Sequence, residues 1–182
     1  DEKDNVALAA QVEAINQGLA NASFLALPIF IISTNKAAEI FPLELVGLII
    51  WALSLTAENT ADFQKLNFLK AMKKEGKHAQ VCDVGLWKYS RHPNYFFEWM
   101  VWNGLIVAAI PSWIALRSQE TFAIWLLLGL GLFLASVFMY RTLVHLTGAV
   151  PSEYYSEQKR PDYKAYQQRT NRFFPGPRRS GH

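Results

Sequence analysis

The segment GLWKYSRHPNYFFEW, residues 85–99, gathers the side chains best suited to chemistry. Arg91 and His92 stand directly before Pro93. Proline lacks an N–H and has its φ preset, so it suits the first turn of a helix. A helix beginning there presents free N–H groups beside a guanidinium, a combination that binds anions. Arginine can grip a phosphate through two parallel hydrogen bonds, and nearby lysines add point charge. Asn94 and Glu98 are four residues apart and fall on one helix face, with Trp102 above them. Trp87, Tyr89 and Tyr95 could flank a planar ring. Together these describe a nucleotide-type cofactor site. The plainer alternatives are basic residues anchoring the loop to anionic headgroups, and polar residues solvating a helix end.

Two flanking segments add polar groups. Glu58, Asp62 and Lys65 are spaced i, i+4, i+7, one face of a helix that Gly76 should break. In the tail, Tyr163 and Tyr166 are interleaved with Lys164, Arg169 and Arg172. That pattern predicts a short interfacial helix ending before Phe173-Phe174-Pro175. It fits packed aromatics with snorkelling bases as well as it fits cofactor contact.

The elements that must hold these groups are apolar. The chain has 182 residues, 51% hydrophobic, with a net charge of +3. Those averages exclude a disordered chain, a collagen and a disulfide scaffold, and they hide a strong segregation. Residues 1–58 carry a net −5, residues 65–92 a net +5 and residues 141–182 a net +5. Between the basic blocks, 99–140 holds only Arg117 and Glu120. Trp99–Leu116 and Phe122–Tyr140 are free of charge, and each is long enough as helix to cross a ~30 Å hydrocarbon core. Phe41–Ala57 is nearly as apolar, and Gln17–Ser33 is a weaker candidate. Backbone in lipid must satisfy its own hydrogen bonds, so all four read as helices.

The expected fold is therefore all-α: a polytopic transmembrane helical bundle forming a single membrane domain over 1–182. Its spans are expected near 17–33, 41–57, 99–116 and 122–140. Loop 58–98 and tail 141–182 share a sign and are separated by two spans, so both are placed on the cytoplasmic side. The single Cys82 and four scattered His give no zinc spacing, and no phosphate-binding loop or nucleophile elbow is present. Nucleic-acid binding is disfavoured because the basic loops lie against a bilayer.

The segment GLWKYSRHPNYFFEW, with upstream AENTADFQKLNFLK and downstream SEYYSEQKRPDYKAYQQRTNRFFP, resembles the steroid 5-alpha-reductase C-terminal superfamily. The nearest likeness is to its bacterial and lower-eukaryotic branch of uncharacterised integral-membrane reductase-like proteins. The resemblance implies a C-terminal four-span part of a roughly seven-span fold. It implies an oxidoreductase acting on CH–CH groups, using NADPH from the cytosolic side to reduce an activated C=C bond in a lipid-like substrate such as a steroid, sterol or enone. Carried over by position, it places Asp62 near the cofactor and matches Tyr89, Asn94 and Glu98 to polar signature positions, with Asn94 nearest the nicotinamide. Arg91 and His92 belong to the RHP form of the signature, Glu153 falls near a polar cofactor position, and Tyr163 matches a tail aromatic. With Lys65 and Arg91 taking phosphate, these nine residues form the expected cofactor site. The proton donor is expected on N-terminal spans outside this chain. Two other readings compete: a membrane methyltransferase using S-adenosylmethionine, of the isoprenylcysteine carboxyl methyltransferase type, and a non-catalytic membrane scaffold. The membrane is expected to be the plasma membrane or the endoplasmic reticulum, depending on organism.

Overall fold

The structure, a computed structural model, describes residues 26–36, 39–77 and 79–179. Six α-helices account for most of them: α1 (Leu27–Ser33), α2 (Pro42–Lys74), α3 (Pro93–Ala115), α4 (Phe122–Arg141), α5 (Ala149–Lys159) and α6 (Tyr163–Arg169). Short 3-10 turns occur at Gly85–Lys88 and Leu116–Ser118, and a π turn at Thr142–Leu146. Among the described residues there is no strand, only an isolated parallel bridge between Ser90 and Asn171.

Among the described residues, three helical stretches are long and apolar enough to cross a membrane: Pro42–Lys74, Pro93–Ser118 and Phe122–Lys159. The fold is thus all-α and polytopic, as the sequence predicts. The expected first span, 17–33, falls largely outside the described residues, which show only the seven-residue α1 from it. Leu53, Leu127 and Phe133 are each about two-thirds exposed. A soluble protein would not array such side chains along its helices; a lipid-facing surface requires them. The 33 residues of α2 reach roughly 50 Å, well beyond a hydrocarbon core. Its second half therefore projects past the membrane, carrying Glu58, Asp62 and Lys65 with it.

The chain groups into two compact units, Asp1–Gly47 with Leu105–Ala135, and Leu48–Gly104 with Ser136–His182. The first unit packs Ile31, Ala109, Leu116 and Leu132 into a dry core. Trp113 and Trp125 stack at 4.6 Å, and each indole N–H donates to the other's carbonyl, at 2.9 and 3.0 Å. Indole is apolar on its faces and polar at one edge, so this pairing stacks the rings without orphaning either N–H. A Cβ at Gly129 would strike the Trp113 ring, so the small residue permits the stack.

The second unit holds all nine residues of the expected cofactor site. Asn103 lies within the uncharged part of α3; its Nδ2 donates to the Trp99 carbonyl at 2.7 Å and its Oδ1 accepts from the Ser136 hydroxyl at 2.8 Å. Trp99 Nε1 donates to the Ser136 carbonyl at 3.1 Å. Such side-chain bonds join α3 to α4 where lipid offers no hydrogen-bonding alternative. At the far end of α4, Gly148 separates the π turn from α5. A Cβ on Gly148 would overlap the Leu143 carbonyl, a backbone group that cannot swing aside. Gly148→Ala is therefore expected to lose about 1–3 kcal/mol of stability. Thermal unfolding in detergent would register this as a lowered midpoint, and an unchanged midpoint would refute the clash.

Candidate functional site

The helix start predicted at Pro93 is where α3 begins. The turn ahead of it is held by the C-terminal tail. Arg91 N–H donates to the Asn171 carbonyl at 2.8 Å and Gly176 N–H to the Tyr89 carbonyl at 3.1 Å. The Ser90 hydroxyl donates to the Phe173 carbonyl at 2.9 Å and accepts from His92 N–H at 3.1 Å. Tail residues 171–176 thus run beside the Tyr89–His92 turn, with about 80 residues of chain between the paired segments in sequence.

At the centre is a buried charge network. Glu153 is 3% exposed, Arg91 7% and His92 5%. Arg91 Nε donates to Glu153 Oε1 at 2.7 Å and Nη2 to Oε2 at 3.2 Å, a two-pronged grip. Its Nη1 donates to the carbonyls of Gln167 (2.8 Å) and Thr170 (2.6 Å). These carbonyls belong to the C-terminal end of α6, which favours a cation. His92 Nε2 lies 3.2 Å from Glu153 Oε1, and Arg172 Nε donates to Oε2 at 3.2 Å. One carboxylate therefore gathers two arginines, a histidine and, through Gln167 Nε2 at 3.3 Å, an amide. Burying a carboxylate is tolerable only with this degree of pairing.

The geometry gives Arg91 a different task from the one its position suggested. Its guanidinium nitrogens are engaged with Glu153 and with backbone carbonyls, so it staples the turn to α5 and α6. Burial pushes His92 below its ordinary pKa of 6.5, overcoming the opposing pull of Glu153. A buried imidazole with a depressed pKa binds its proton less readily folded than unfolded. Its contribution to stability is present above pH 6.5 and is lost as pH falls below that value. Thermal unfolding between pH 7.5 and 5.5 should show a falling midpoint, and His92→Gln should flatten the fall. An identical slope in the variant would assign the effect elsewhere.

Trp87 links this network to α2. It is buried, and its Nε1 donates to the Ala61 carbonyl at 2.8 Å, while its own carbonyl accepts from the buried Tyr166 hydroxyl. The chain enters this turn at Gly85, where φ is +52° and a Cβ would collide with the Gln64 amide. Gln64 Oε1 accepts from Leu86 N–H at 2.8 Å, so the close approach is what fastens the turn to α2. Asp83 ties the loop to the tail through Arg169, at 2.7 Å, and Arg178.

Beside the network opens a cleft whose walls include Lys65, Cys82, Trp87, Ser156, Arg160 and Tyr163. The Lys65 ammonium stands 4.4 Å over the Trp87 ring, a cation–π contact. Arg160 Nη1 donates to the Ser156 hydroxyl at 2.9 Å. Among the described residues, neither cation has a carboxylate within ion-pair distance. Burial pushes the Cys82 thiol up to about 11 and the Tyr163 hydroxyl up to about 12, the latter helped by the Glu153 charge. Both keep their protons at neutral pH, so neither neutralises the cations beside it. The cleft is accordingly cationic, with aromatic walls.

Asn94, Tyr95 and Glu98 follow on α3, partly buried. His92 and Tyr95 stack with ring centroids 5.4 Å apart. Asn94 Oδ1 is buried with no hydrogen-bond partner among the described residues. Glu98 and Asp62 both act electrostatically on Glu58. Of the nine expected residues, Lys65, Arg91, His92 and Tyr163 line the cleft, and Glu153 braces it from behind. Asp62 and Tyr89 are exposed. Among the described residues no three His, Cys, Asp or Glu side chains form a group able to hold a metal.

The chain matches a family model. A family described as "Protein of unknown function (DUF1295)" matches residues 14–170. The chain belongs to that DUF1295 family. The match spans the network from Arg91 to Gln167 and all of the cleft, while the tail strap 171–176, which includes Arg172, lies beyond. No curated protein and no solved structure matches the chain. In this DUF1295 chain, sequence reasoning passed over Arg160, Ser156 and Gln167. Each is an ordinary polar residue of a tail helix or its end, and only the folding of α5 and α6 onto the turn distinguishes them. Trp87, picked out as an aromatic neighbour, also proves to be a hydrogen-bonded link between α2 and α6.

Proposed function

We propose that this chain carries the cofactor site of a membrane-embedded, NADPH-dependent reductase acting on an activated C=C bond of a lipid-like substrate. The observation that carries this reading is the cationic, aromatic-walled cleft formed by Lys65, Arg160, Trp87 and Tyr163. NADPH brings three phosphates and two planar rings. Two cations without an ion-paired carboxylate among the described residues fit the first, and the aromatic walls fit the second. Bound NADPH supplies a hydride. The chain's own residues bind and orient: Lys65 and Arg160 hold phosphate, Arg91 fixes the turn, and the unpartnered Asn94 Oδ1 accepts a hydrogen bond from the carboxamide. Placing the basic loop and the tail on the cytoplasmic side puts the cleft where the cofactor pool is.

The same charge weighs against the methyltransferase reading. S-adenosylmethionine has no phosphate and carries a sulfonium cation, which the two cations bordering the cleft would repel. Thermal unfolding of the detergent-solubilised protein with NADPH, NADH or S-adenosylmethionine distinguishes the readings. NADPH at a hundred times its Kd should stabilise by about 2.7 kcal/mol, NADH less and S-adenosylmethionine not at all. Stabilisation by S-adenosylmethionine alone would establish the methyltransferase instead, and no response to any of the three would leave the scaffold reading.

A further inference from the structure

Tyr140 closes the apolar run of α4, and Arg141 opens the basic tail. A boundary of this kind lies at the membrane–water interface, where aromatic and basic side chains collect. There α4 passes into the π turn Thr142–Leu146, an irregularity that recurs at functional positions. Beside the turn lies an open groove lined by Tyr140, Val144, His145, Arg172, Phe173 and Phe174, with Asn171 and Pro175 at its edge.

The groove is amphipathic. Its floor is a block of aromatic rings, with Tyr140 5.2 Å from Phe173 and 6.1 Å from Phe174, backed by Phe96 and Trp99. Its rim carries Arg172, His145 and the Asn171 amide, and among the described residues no carboxylate lines it. Arg172 gives its Nε to Glu153 yet remains 46% exposed, which leaves the end of the guanidinium toward solvent. His145 meets Tyr140 edge-on at 6.2 Å and is otherwise exposed.

We infer that this groove seats one anionic phospholipid. Its phosphate lies against Arg172 and His145, and its acyl chains lie along the ring floor toward α4. The argument joins depth to charge. An interfacial groove meets lipids first, an aromatic floor favours hydrocarbon, and a rim with an arginine and no acid selects a negative headgroup. None of the groove residues lines the cleft of Lys65 and Arg160, so the inference stands independently of the reductase reading.

The test uses the purified chain, stripped of lipid in an uncharged detergent. Dioctanoyl-phosphatidylglycerol, dioctanoyl-phosphatidylcholine and inorganic phosphate are added separately, and binding is followed by native mass spectrometry and thermal unfolding. Phosphatidylglycerol should bind about tenfold more tightly than phosphatidylcholine, and Arg172→Gln should remove that preference. Arg172 also touches the buried network, so two exposed positions provide the fallback. His145→Ala and Phe174→Ala should each weaken phosphatidylglycerol binding several-fold, and His145→Ala should do so with the lipid-free unfolding midpoint unchanged. Equal binding of the two lipids would overturn the inference. So would stabilisation by inorganic phosphate as large as by phosphatidylglycerol, or undiminished lipid binding in both exposed variants.

Discussion

Glu153→Ala is expected to lower stability by about 3–5 kcal/mol, more than any other single substitution in the second unit. Removing the carboxylate leaves Arg91 buried with two of its prongs empty and takes the partner from His92. Arg172 is nearly half exposed and can turn to water, so it contributes little to the loss. For a chain of this size the midpoint should fall by roughly 10 °C. Glu157→Ala is the control. Glu157 also bonds Gln167, at 2.7 Å, but from an exposed position, and its loss should fall within about 0.5 kcal/mol. A Glu153→Ala midpoint equal to that of Glu157→Ala would show that the network does not hold the turn and tail together. Glu153→Gln, which keeps acceptor capacity but not charge, should fall between the two.

Lys65→Ala and Arg160→Ala are the substitutions expected to damage NADPH binding most, each by about tenfold or more. Both cations border the cleft, and neither has a carboxylate partner among the described residues. Neither belongs to the Glu153 network, so the folded state should survive their removal better than it survives loss of Arg91. Lys65 also rests on Trp87, so some packing is lost with it; Lys65→Met keeps the stem over the ring and removes the charge. Lys73→Ala, on the exposed end of α2, is the control for general loss of basic charge. Asn94→Ala should weaken binding beyond that control as well. Titration of tryptophan fluorescence with NADPH would measure all five, Trp87 being in the cleft wall. Equal affinities for Lys65→Met, Arg160→Ala and Lys73→Ala would move the cofactor away from this cleft.

The α-helical, membrane-spanning character was legible in the sequence because it is a property of runs. Uncharged stretches of nearly twenty residues can satisfy their backbone in lipid only as helix. The start of α3 at Pro93 was equally legible, since proline acts on its own backbone. So was the end of α2 at Lys74, just ahead of Gly76, whose φ of +66° suits glycine. The cluster Arg91, His92, Asn94 and Glu98 could be seen as chemically capable from types and spacing alone.

Roles within that cluster were not legible. The sequence placed an arginine at a helix start and predicted an anion clamp. The tertiary structure brought Glu153 against it from 62 residues away and turned the clamp inward. Charge pairing across such a separation leaves no periodic trace, because it depends on how α5 and α6 fold back and not on any local preference. The same return of the chain delivered Arg160 and Ser156 to the cleft and laid the Asn171–Gly176 strap along the turn. The sequence by itself determined which of the described helices are long and apolar enough to cross a membrane, and where polar chemistry gathers. Only the tertiary structure decided which cations are neutralised by a buried carboxylate and which stay open to a ligand, since that is a matter of distance.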